Sequence, residues 1–142
     1  MNRKNLAKLA AYLITLPVNY RNFSMIDYFI TEHENDGRLF PAEVGALTDC
    51  GSVACAVGHG PAAGVRAKDG ETWSQYEDRV FGLSNKEWAW CFHNEWVYTD
   101  DTPHGAARRI LHMLEYGVPE NALAQMRGTE PYILIEEEET EA

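Results

Sequence analysis

A chain of 142 residues with 45% apolar side chains is sized for one domain with its own core, needing no disulfide or metal to fold. It holds no run near the ~18 uninterrupted apolar residues of a membrane span, so no membrane is expected. Its net charge of −10, without a basic patch, argues against direct nucleic-acid binding.

Most of that charge is local. Residues 1–128 carry 12 basic and 16 acidic side chains, whereas Glu130, Glu136, Glu137, Glu138, Glu139 and Glu141 follow with no base among them. This divides the chain into a helical domain, 1–128, and an acidic C-terminal tail, 129–142. The first residues, Met1-Asn2-Arg3-Lys4, open no apolar signal region, which points to the cytoplasm. The three cysteines fit free thiols in a reducing compartment.

Helix signals dominate. Leu6, Leu9, Ala10, Leu13 and Ile14 recur at helical spacing, predicting an amphipathic helix over 3–16 stopped by Pro17. Phe23, Met25, Ile26, Tyr28 and Phe29 then offer core side chains. Residues 32–49 loosen into a loop around Asp36-Gly37 and Pro41. Next comes 50–59, a run of small and β-branched residues with two cysteines and no charge before His59. It reads as a tightly packed central helix that ends at Gly60-Pro61.

Two capping boxes follow, Thr72-Trp73-Ser74-Gln75 and Ser84-Asn85-Lys86-Glu87. The first opens a helix with Trp73, Tyr76, Val80 and Phe81 inward, closed by Gly82. The second opens one with Trp88, Cys91 and Phe92 inward. Thr102-Pro103 starts a helix with Ala106, Ala107, Ile110, Met113 and Leu114 inward, ended by Gly117. A short helix over 119–126 is next. Tyr132-Ile133-Leu134-Ile135 could form a short C-terminal strand. The expected fold is all-α or mostly α, a single compact domain of five to six helices around the small-residue helix.

The run Cys50-Gly51-Ser52-Val53-Ala54-Cys55-Ala56-Val57-Gly58-His59 resembles an uncharacterised family of small bacterial and phage proteins. That family is built around a Cys-Gly-Thr/Ser-x-x-Cys-x-x-Gly-His motif. Leu16-Pro17, Phe23-Ser24-Met25, Gly82-Leu83-Ser84, Thr102-Pro103 and Ala106-Ala107 continue the likeness in order, over roughly residues 5–116. The resemblance implies a small helical protein encoded by a phage or prophage. It assigns no chemical role to any residue.

Cys50 near a helix start is a candidate nucleophile, because the helix dipole favours a thiolate there. His59, His93, His104 or His112 would have to serve as its base. Cys50-Gly51-Ser52 is similar to the papain-type Cys-Gly-Ser-Cys-Trp, but the nucleophilic position of that motif is Val53 here. Cys55 and His59 share a helical face as metal ligands would, with Cys91 as a weak third. Cys50 lies about 140° round from Cys55, so one ion cannot take both from an unbroken helix. Gly58, Gly60 and Gly64 fit neither a dinucleotide nor a P-loop fingerprint.

Trp88, Trp90 and Trp96 are candidate binding anchors. Trp90 lies about 160° round from both Trp88 and Phe92, opposite their midline, which predicts its exposure at least in part. The leading expectation is a non-enzymatic, acidic binding protein without a cofactor, acting on a host or viral protein. A thiol-dependent hydrolase or transferase using Cys50 and a histidine is one alternative. A nucleotide- or small-ligand-binding module in a Trp-lined cleft is another.

Overall fold

A computed structural model describes residues 1–18, 23, 25, 56, 59–68, 70, 71 and 73–132, with Trp73 as backbone only. The described part is all-α. Helices α1 (Arg3–Leu13), α2 (Trp73–Val80), α3 (Asn85–Phe92), α4 (Pro103–Tyr116) and α5 (Ala122–Met126) follow in order. A 3-10 helix, Asn94–Tyr98, joins α3 to α4. No strand occurs among the described residues, and none of their helices is long and apolar enough to cross a membrane.

The Asn2 side chain caps α1 by accepting from Asn5 N at 3.0 Å. Asn2 N and Asn5 Nδ2 then donate to Phe81 O and Val80 O, both at 2.8 Å, which ties the start of α1 to the end of α2. Leu6, Leu9, Ala10 and Leu13 face the core. The helix ends at Leu13, earlier than the expected 16, and Ile14 is 41% exposed instead of inward. Leu16 cannot easily stay helical before Pro17. Thr15 and Leu16 instead make tighter bonds to Tyr12 O and Leu13 O, and the Thr15 hydroxyl also takes Tyr12 O at 2.6 Å.

Helices α1 and α4 pack antiparallel. Near one end His104 Nε2 lies 2.6 Å from Leu16 O, and since a carbonyl only accepts, Nε2 carries the proton. Near the other, Arg3 Nη2 donates to Leu114 O, placing a cation where the dipole of α4 favours one.

Helix α2 and the turn residue after it present Tyr76, Val80 and Phe81 to the core. Gly82 follows at φ +60°, a left-handed conformation that suits glycine at a helix end. The preceding loop is clamped to α2 by a two-pronged pair. Arg79 Nε and Nη2 reach Glu71 Oε2 and Oε1 at 2.6 and 2.8 Å. That bonding to Arg79 holds the Glu71 carboxyl below its ordinary range.

The Ser84 capping box forms as read, with Glu87 N donating to Ser84 Oγ at 3.3 Å and Ser84 N to Glu87 Oε1 at 2.8 Å. Thr102 caps α4 through Gly105 N, Pro103 opens it, and Gly117 closes it at φ +85°. Helix α5 begins at Ala122, later than expected, because Pro119–Ala122 is a turn closed by Ala122 N to Pro119 O. Of the expected central helix over 50–59 only Ala56 and His59, both buried, are described. The rest of that expectation lies outside the described residues, as do the loop 32–49 and the strand beyond Tyr132.

Candidate functional site

Helix α3 is flanked on two sides, which decides where its aromatic residues go. Phe92 meets Phe81 from the end of α2 at 5.4 Å between ring centroids. Cys91 and Trp90 meet α4, the first through Met113 Sδ at 3.6 Å and the second through His112 at 5.9 Å. Three successive residues span about 200° of helix, so a helix buried across that arc has no single inward face. The expected exposure of Trp90 is therefore overturned. Trp90 is fully buried, and its indole Nε1 donates to Arg109 O at 2.8 Å. Trp96 is fully buried against the Trp90 edge at 5.4 Å, and its Nε1 donates to Ala89 O at 3.0 Å. Trp88 is half-buried beside His93. With no exposed surface, Trp90 and Trp96 cannot line an open cleft. The large exposed rings there are Tyr98 and Tyr116.

Arg109 is the residue that the sequence reading missed. It lies three residues after Ala106 and four before Met113, on the inward face of α4, and it is fully buried. Its guanidinium carbon stands 4.3 Å from the Trp96 ring centroid. Nη1 donates to the Tyr132 hydroxyl at 2.9 Å and to Asp100 O at 3.4 Å. The Tyr132 hydroxyl in turn donates to Asp100 Oδ2 at 3.1 Å, while the direct Arg109–Asp100 ion pair is long, at 3.7 Å. Burial pushes the Tyr132 phenol up, so it remains a neutral donor. Asp100 Oδ1 accepts from the Thr102 hydroxyl at 2.6 Å. The neighbouring Asp101 accepts from Met25 N at 2.7 Å, and burial raises its carboxyl. This cluster fastens Met25, the 99–102 turn and the chain at Tyr132 to α4. Arg109 and Tyr132 are buried while Asp100 keeps an edge in water, and the chemistry of the cluster is that of a lock.

Gly105 belongs to the same lock. A Cβ there would stand 2.1 to 2.3 Å from the Asp100 carboxylate, which Thr102 and Tyr132 hold in place. Gly105→Ala is expected to cost about 1–3 kcal/mol in a denaturant melt. In an Asp100→Ala background the same change should become neutral or stabilising, because alanine is the better helix former by about 1 kcal/mol. Equal costs in both backgrounds would rule out the clash.

The described histidines, His59, His93, His104 and His112, are each engaged in the fold. His59 is buried and stacks on Phe23 at 5.6 Å and near Tyr12 at 6.1 Å. His93 Nδ1 caps the 3-10 helix by accepting from Glu95 N at 3.0 Å. His104 bonds Leu16 O, and His112 sits between Trp90 and Tyr116. Cys91 is fully buried, and burial pushes its thiol far up, away from the thiolate that a nucleophile or metal ligand needs. Cys50 and Cys55 lie outside the described residues, and the thiol and metal readings on them with them. Among the described residues no group of three His, Cys, Asp or Glu side chains is placed to hold a metal ion.

The described surface offers one further feature. An open groove of about 490 Å³ runs between the first turns of α3 and residues 118–124. Its apolar walls are Ala89, Val118, Pro119, Ala122, Leu123 and Ala124, and Lys86 and Glu120 stand among its polar residues. Leu123 is 49% exposed. Asn121 also lines the groove, and its side-chain amide donates to Glu130 Oε2. Such a groove carried no periodic signal, because α5 is only five residues long. Set against protein-family models, curated proteins and solved structures, the chain has no match in any of the three.

Proposed function

We propose that this is a small, acidic, non-enzymatic binding protein that engages a protein partner. The observation that carries the reading is the open apolar groove beside α5, with Leu123 half in water at its wall. An exposed aliphatic wall next to a concavity is costly to leave in solvent and suits a partner's side chain. The engagement of each described histidine in a fold contact supports binding over catalysis. The motif resemblance supports a phage or prophage origin, a host or viral protein as partner, and inhibition of a host defence or housekeeping system as one form of action.

The test places a photo-crosslinking side chain at position 123 and, as a control, at exposed Leu111 on α4. One bacterial protein should be captured at 123 and not at 111. The purified pair should then form a stoichiometric complex that Leu123→Asp weakens by about 2 kcal/mol or more. A chain ended after Tyr132 should bind as well at physiological salt and differ mainly at low salt. The chain is ended after Tyr132 because that residue packs on Trp96 at 5.5 Å and belongs to the core. Equal capture at both positions, or binding lost with the glutamates, would overturn the reading.

A further inference from the structure

We infer that the groove between α3 and α5 receives an apolar side chain carried on a basic peptide segment. The inference rests on the protein-binding reading and adds the chemistry of the partner. The walls supply only aliphatic contacts, from Ala89, Val118, Ala122 and Leu123. Charge near the groove is biased to one sign. Lys86 stands against Glu120 and against Glu130, which is tied to the groove through Asn121. The nearby Glu95–Arg127 pair, 3.5 Å apart, cancels itself. The whole chain carries −10. Such a field draws in basic segments and disfavours acidic ones, while the aliphatic walls select for an apolar anchor.

Three short synthetic peptides test this by methyl NMR: one amphipathic and built of Leu and Lys, one of Leu and Glu, and one of Lys and Ser. The Leu/Lys peptide should move the methyl resonances of Ala89, Val118, Ala122 and Leu123, and the other two should leave them in place. Leu123→Ser and Glu120→Lys should each weaken the Leu/Lys peptide about tenfold. Glu115→Lys makes the same change of net charge on exposed α4 and should leave affinity within about twofold. Unchanged melting temperatures establish that the variants are folded. The inference is overturned if the Leu/Glu peptide binds equally, if Glu115→Lys weakens binding as much as Glu120→Lys, or if the shifts fall outside the groove. A captured protein partner that tolerates Leu123→Ser would defeat the groove chemistry and leave protein binding standing. An absence of any stoichiometric partner would defeat the broader reading instead.

Discussion

Trp90→Ala is expected to lose about 3–5 kcal/mol of stability, enough to unfold much of the chain at 37 °C. The indole is fully buried between Trp96, in an edge contact, and His112. Truncation removes the largest class of side chain from a close-packed site that α3 and α4 cannot collapse to fill. It also removes the donor to Arg109 O. Trp90→Phe separates the two terms, since it keeps much of the ring volume and loses the N–H. It should retain most of the stability, with the bond itself contributing about 1 kcal/mol. Urea melts followed by far-UV circular dichroism give both numbers. A Trp90→Ala protein that melts like the parent would return Trp90 to the surface role first expected of it.

That error shows where the sequence was legible and where it was not. The caps at Ser84 and Thr102 and the stops at Gly82 and Gly117 depend on local spacing, and the structure holds all four where they were read. The inward residues of α1 and α4 follow because each helix has one buried stripe. Helix α3 breaks the rule because it has neighbours on two sides, and one helix's periodicity does not count its neighbours. Arg109 was within reach of the same argument. It sits on the inward face by spacing, but a charged residue there reads as solvated unless its partners are known, and those partners are 9 and 23 residues away. The groove depends on how α3 meets the 118–124 segment, a tertiary fact with no sequence period.

Arg109→Met is expected to fall within about 1 kcal/mol of the parent, whereas Arg109→Ala should lose about 2–5 kcal/mol. Two effects compete at this residue, packing and charge. The charge has weak support as a stabiliser. Its ion pair with Asp100 is 3.7 Å long, and the Asp100 side chain is 20% exposed, so water can serve that carboxylate if the cation goes. Arg109 Nε and Nη2 are buried without an acceptor among the described residues, so part of the desolvation cost of the guanidinium is not recovered. Packing has strong support. The side chain is fully buried, with its plane against Trp96 and its tip on Tyr132. Methionine keeps most of that volume, fits an irregular space and removes the unmatched donors. Alanine leaves a cavity beneath Trp96. Lysine should behave worse than methionine, since it keeps a charge but lacks the flat face that stacks on the indole. The ordering in a thermal melt is therefore parent and Met, then Lys, then Ala. A large and equal loss in Arg109→Met and Arg109→Ala would assign the stability to the ion pair and not to the filled space. In that case Asp100→Asn should lose a similar amount, while under the packing account it should change little.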